Sequence, residues 1–291
     1  MKKNLVIVRA GDSSLHPEWM LPEFERNWDI VVSYYGDDPF VYKYDGQVRF
    51  DCKGTEYPAF YRLLTEGALK WDAYEYIWLP DDDLRISGNE INKLFDICAK
   101  HSLELAQPSL DEQSYISHLI TRQNRKFVLR WTNFVEVMAP CFRQDALKKC
   151  LPTFCTSQSS WGLDYQWAKL LDNHKNIAIV DEVSLCHTRP VGGPLYDVLN
   201  SMGVNVQEEQ KHALEKIGMD KFVVEPYAGI LKNGKFFTYE SRRSNFLQML
   251  RLLFMGEHIA AYSLREKMRG TGKRTVKIII IDQIFHWLKI N

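Results

Sequence analysis

The stretch from Tyr74 to Lys100, YEYIWLPDDDLRISGNEINKLFDICAK, runs from an apolar segment through three consecutive carboxylates into a helical pattern. Tyr74 to Leu79 reads as a strand, because short continuous apolar runs suit strands buried on both faces of a sheet. Ser87 to Glu90 forms a capping box ahead of Ile91, Leu94, Phe95 and Cys98, which recur at helical spacing. Asp81, Asp82 and Asp83 therefore fall at the carboxyl end of a strand, the edge where open α/β sheets bind ligands. Like charges this close raise one another's pKa unless a cation or hydrogen-bond donors neutralise them. In extended backbone Asp81 and Asp83 share a face and Asp82 turns away. That pattern suits a hard divalent ion held by one or two carboxylates, with water and phosphate completing its shell. The alternative is a solvated loop in which Asp serves only as helix-capping punctuation.

Working outward, similar runs occur at Leu5 to Val8, Ile30 to Ser33, Leu103 to Ala106, Phe134 to Met138 and Ile177 to Val180. Helix-like segments separate them, among them Pro58 to Lys70 with Pro in the first turn, so the expected class is α/β with strands flanked by helices. Residues 113 to 143 are less regular, and FVLRWTNFVEVMAPCF reads as two short antiparallel strands at the sheet edge. From Val206 onward the pattern is mainly helical. A boundary is expected near Tyr227 to Thr238, where Asn233-Gly234 signals a turn, dividing a domain of residues 1–238 from an extension of residues 239–291.

The charges sharpen that division. The chain of 291 residues has a formal net charge of zero, yet Ser241 to Asn291 carries ten Lys and Arg against three Asp and Glu. The extension is thus basic and the remainder acidic by the same amount. Its mixture of Lys and Arg with Phe, Trp, Leu and Ile suits helices lying on an anionic membrane surface, or a helix pair packed on the domain or on a second copy. No recognition motif accompanies the basic residues, which argues against nucleic acid. The six cysteines show no metal-ligand spacing and are expected to be reduced thiols. The N-terminal apolar run is too short for a signal peptide and no segment reaches the length of a membrane span, so a cytoplasmic protein, peripheral at most on the inner face of a membrane, is expected.

Two further constellations carry candidate chemistry. Ser159-Ser160-Trp161-Gly162-Leu163-Asp164 opens a helical segment. Asp164 there is either an acid favoured by the helix dipole or a working carboxylate beside the aromatic platform of Trp161 and the permissive backbone of Gly162. Cys186-His187-Thr188-Arg189 follows a strand. His187 could ligate the same ion and Arg189 could clamp a phosphate, or both could be ordinary loop residues. Arg9, Ala10 and Gly11 after the first strand, and Asp37 after the second, could meet a nucleotide. Neither a dinucleotide fingerprint, a P-loop nor a serine-hydrolase elbow is present.

Together these residues resemble the layout of GT-A-fold, metal-dependent glycosyltransferases. LPDDDL, LAQPSLD, TNFVEVMAPCF, WGLDYQW and VDEVSLCHTRPVGGPLY further resemble the domain-of-unknown-function 707 family, over about Asn4 to Tyr196. The resemblance implies a mixed, mostly parallel GT-A-like sheet flanked by helices. It also implies Mn2+ or Mg2+ held by Asp81, Asp82, Asp83 and His187, and Asp164 as the base of an inverting transfer. The implied partners are a nucleotide-sugar donor and a glycan or lipid-linked acceptor, in surface polysaccharide synthesis. Two other readings share these features. A nucleotidyltransferase or phosphohydrolase would also need clustered carboxylates, and a non-catalytic glycan-binding protein could use the same fold.

Overall fold

The computed structural model describes residues 2–43, 48–67, 69–171, 176–190 and 194–238. The expected helices beyond Thr238, and Gly192-Gly193, lie outside them. Met1–Thr238 is one unit of the chain.

Eleven strands form: β1 (Asn4–Ala10), β2 (Trp28–Tyr34), β3 (Val48–Asp51), β4 (Tyr76–Trp78), β5 (Leu84–Arg85), β6 (Leu105–Leu110), β7 (Phe127–Thr132), β8 (Cys141–Arg143), β9 (Ile177–His187), β10 (Pro226–Leu231) and β11 (Phe236–Thr238). The helices are α1 (Glu56–Thr65), α2 (Gly88–Lys100), α3 (Gln144–Cys150), α4 (Leu163–Leu171), α5 (Pro194–Ser201) and α6 (Val206–Lys216). The strand order is β11-β10-β7-β9-β6-β8-β4-β1-β2-β3, with β5 pairing β9 off this path. Strands β1 to β4, β6, β9 and β10 point one way, and β5, β7, β8 and β11 oppose them. The sheet is therefore mixed and mostly parallel.

Alternation along the strands splits the core between the two faces. Val6, Val8, Tyr76 and Trp78 pack with Ile91, Leu94 and Phe95 of α2 on one face. Leu5, Ile7, Ile77 and Leu79 pack with α1, α3 and α4 on the other. Ser87 caps α2, its hydroxyl accepting from the Glu90 N–H at 3.2 Å, as the capping box requires.

Three expectations need correction. Phe134 to Met138 is a loop and not a strand, although Phe134, Val135 and Met138 are buried. Side-chain and backbone partners outside any ladder hold it: Gln107 Oε1 accepts from the Glu136 N–H at 2.5 Å, the Tyr57 hydroxyl donates to the Val137 carbonyl at 2.6 Å, and the Asp81 N–H donates to the Met138 carbonyl at 2.8 Å. Of the two strands read in FVLRWTNFVEVMAPCF only the first forms as read, as β7; β8 begins later, at Cys141, and lies mid-sheet between β4 and β6. The segment after Val206 is helical only to Lys216, and β10 and β11 then make a hairpin on β7 with Asn233-Gly234 at its turn.

Strand β9 owes its reach to an irregularity. Its pairing with β6 shifts between Pro108 and Ser109, where proline offers no N–H to the ladder. Beyond the shift β9 continues to His187 and pairs antiparallel with β5, Leu84 opposite His187. The pairing sets the end of β9 beside the aspartate loop.

Candidate active site

The carboxyl ends of β1, β4 and β9 meet at the aspartate triplet. Asp82 faces the β1 side: its carboxylate accepts from the Gly11 N–H at 2.8 Å, from Arg189 Nη1 at 3.0 Å and from the Tyr35 hydroxyl at 3.4 Å. Burial raises its pKa, and the Gly11 and Arg189 donors pull it back. With both oxygens engaged, Asp82 ties three loops together, in agreement with the alternation that turns it from its neighbours.

Asp83 lies against His187. The His187 Nδ1 is 2.9 Å from the Tyr115 carbonyl, which can only accept, so Nδ1 carries the proton. Nε2 then faces Asp83 Oδ2 at 3.3 Å, a distance that calls for a proton or a cation between them. Burial works against a charged His187, but Asp83 and the Tyr115 carbonyl outweigh it and its pKa is raised. Ser114 steadies the strand end, its hydroxyl accepting from the His187 N–H at 3.0 Å. Asp83 Oδ1 is buried with no hydrogen-bond partner among the described residues. The backbone is equally fixed, since the Asp83 carbonyl accepts from the Thr188 N–H and hydroxyl at 3.1 and 2.8 Å.

Two acids that sequence reading passed over join the cluster. Glu56 opens α1 and meets Asp81; burial and mutual repulsion push Asp81 well above the ordinary carboxylate range, and burial raises Glu56 to about 7. One Glu56 oxygen, Oε1, is buried without a partner, and so is Glu136 Oε2 on the loop before β8. Asp83, Glu56 and Glu136 thus each present an orphaned carboxylate oxygen, yet among the described residues no three His, Cys, Asp or Glu side chains are grouped to hold a metal ion. The donors that fit a divalent cation are Asp83 and His187, a pair that leaves the remaining positions to phosphate oxygens and water, as Mg2+ prefers.

Asp164 lies in the first turn of α4 and is 6% exposed. Burial raises its pKa to about 8, opposed by its hydrogen bond from the Tyr165 N–H and reinforced by Glu136. The charge of Glu136 also acts on His187, and the Tyr57 hydroxyl feels Glu56, Asp81 and Asp164 together. Glu136 is thus an electrostatic neighbour of both Asp164 and His187. The lead-in to α4 is strongly held. Glu209 of α6 accepts from the Ser157 hydroxyl (2.9 Å), the Gln158 N–H (2.9 Å), and the Ser159 N–H and hydroxyl (2.8 and 2.6 Å). Gln158 Oε1 in turn accepts from the Thr55 hydroxyl at 2.8 Å, just ahead of α1.

The other expected site residues have different duties. Arg9 is 5% exposed and committed to Ser33 and the Gly54 carbonyl, with its guanidinium 5.0 Å from the Tyr35 ring centre. It pins the strand ends. Ala10 is fully buried, and Gly11 contributes its N–H to Asp82 and a close approach, since a Cβ there would lie 2.7 Å from the Tyr35 hydroxyl. Asp37 is a surface residue paired with Lys53 at 2.6 Å, away from the cluster. Arg189 binds Asp82 and, through Nη2, the Ser13 carbonyl at 2.8 Å, with its side chain 44% exposed. Gly162 has φ +86°, and a Cβ there would sit 2.4 Å from the Ala213 Cβ, so it admits α6 against the loop. Trp161 is half-buried beside Tyr196.

With this geometry established, comparison with known proteins locates one segment. Residues 70–132 match a protein family described as Protein of unknown function (DUF707). The DUF707 match contains Asp81, Asp82 and Asp83 but stops short of Glu136, Asp164 and His187. No curated protein matches the chain in sequence. Among solved structures, S. aureus TarS is 12% identical with a TM-score of 0.47, over 74% of this chain and 42% of TarS. TarS 1-349 in complex with UDP-GlcNAc is 14% identical with a TM-score of 0.49, over 75% of this chain and 65% of that one. TarS 1-349 in complex with UDP is 12% identical with a TM-score of 0.43, over 74% and 70%. The chain thus spans less than half the length of the full TarS chain.

Proposed function

We propose that this protein is a nucleotide-sugar-dependent glycosyltransferase acting with inversion on a hydroxyl acceptor, a glycan or a lipid-linked saccharide. One observation carries the reading: a buried carboxyl with a pKa of about 8, Asp164, has the neighbouring charge of Glu136 in common with His187 of the Asp83–His187 pair. A general base works best when its pKa lies near the operating pH. Asp164 accepts the proton of the acceptor hydroxyl as that oxygen bonds to the anomeric carbon. The bond from this carbon to the diphosphate breaks, and its electron pair leaves with the diphosphate. Asp83 and His187 are the residues that would hold Mn2+ or Mg2+, which when bound supplies positive charge to a diphosphate leaving group. Arg189, partly exposed beside them, would add a second cation.

Calorimetry with UDP, GDP and CMP, each with and without Mn2+, tests the reading, and UDP-GlcNAc is a natural further probe. Asp164→Asn is expected to keep Mn2+-dependent nucleotide binding and lose transfer. Nucleotide affinity indifferent to Mn2+ and to Asp83→Asn would refute the site. Hydrolysis of the donor at full rate without an acceptor would instead identify a phosphohydrolase.

A further inference from the structure

A cleft of about 430 Å³ lies between the lead-in to α4 and the α5–α6 turn, lined by Trp161, Tyr196, Asn200, Val204, Asn205 and Gln207 among others. We infer that this cleft is the acceptor subsite and that it binds a neutral saccharide; as an acceptor subsite it rests on the proposed transfer reaction.

Its lining decides the ligand class. Trp161 and Tyr196 meet edge to face, ring centres 6.2 Å apart at 85°. Both rings are only half-buried, which leaves aromatic surface for the C–H side of a pyranose. The polar lining consists of amides, and a carboxamide can donate and accept at once, as a sugar hydroxyl does. Among the described residues no Lys, Arg, Asp or Glu lines the cleft, which disfavours a phosphate or carboxylate ligand. The volume falls within the range of small-molecule sites. Trp161 precedes Asp164 by three residues on the segment clamped by Glu209, so the cleft is joined to the proposed base through the lead-in to α4.

Saturation-transfer NMR on the full chain with N-acetylglucosamine, chitobiose and cellobiose tests the cleft. Transfer from aromatic protons to at least one of the three is expected, with affinity at least tenfold weaker in Tyr196→Ala and several-fold weaker in Asn200→Ala, an exposed position that leaves the core untouched. Tyr196→Phe should retain most binding. UDP binding with Mn2+ should be unchanged in all variants. Absence of transfer to every saccharide, wild-type affinity in both alanine variants, or displacement of the sugar by inorganic phosphate would overturn the inference. Tyr196-dependent sugar binding in a protein that binds no nucleotide would leave the cleft standing and remove the transfer reaction.

Discussion

Replacing Asp164 by Asn should stabilise the protein, increasingly as pH rises. The unfolded carboxyl ionises at the ordinary value of 3.8, whereas burial holds the folded group's pKa at about 8. Between these values the unfolded chain binds fewer protons than the folded one, so this group's contribution makes stability fall as pH rises and level off above the folded pKa. At about 1.4 kcal/mol per pKa unit, the cost is roughly 2 kcal/mol at pH 5, about 4 at pH 7 and about 5 at pH 8. Asn has no proton to lose, matches Asp in shape, and can accept the Tyr165 N–H that now bonds to Asp164 at 2.9 Å. Urea unfolding of both proteins at pH 5, 6, 7 and 8 should therefore give difference curves that widen by roughly 3 to 4 kcal/mol across the range. Parallel curves would mean that Asp164 is charged or solvated in the fold, and the base assignment would lose its physical ground. If the reading holds, the variant gains stability while losing transfer, as expected where a site keeps a group the fold would rather discard.

Three other outcomes follow from the geometry. Asp82→Ala leaves Arg189 and the Gly11 N–H without their carboxylate and should cost about 1 to 3 kcal/mol in equilibrium denaturation; an unchanged midpoint would show that the tie is slack. Gly162→Ala sets a Cβ 2.4 Å from that of Ala213 at a φ of +86°, so a loss of about 2 to 4 kcal/mol is expected, and wild-type melting would mean α6 does not pack there. Mn2+ should raise the melting temperature of the wild type and not that of Asp83→Asn; equal shifts would place the ion elsewhere.

Much of the framework was legible because it is written in local signals. The apolar run before the triplet, the Ser87–Glu90 box and the acid opening α4 each report one element's own chemistry, and each lies where its pattern implied. What escaped depends on tertiary partners. Val135, Glu136 and Val137 alternate like a strand, yet Gln107, Tyr57 and Asp81 take the loop's backbone groups and deliver Glu136 to the site. Glu56 looks like an ordinary first-turn acid, and only its burial beside Asp81 marks it. Arg9 follows a strand as a phosphate-binding residue might, but Ser33 and Gly54 consume its donors. Spacing shows which residues reach a sheet edge, and competition for hydrogen bonds decides which remain free there.

Asp82 joins Gly11, 71 positions before it, and Arg189, 107 positions after it. Closing so long a stretch of chain costs entropy that nearby contacts do not recover until most of the sheet is in place. Competence to capture a nucleotide should accordingly be among the last properties regained on refolding, lagging behind the return of secondary structure, so ligand capture can serve as a clock for the final step of assembly.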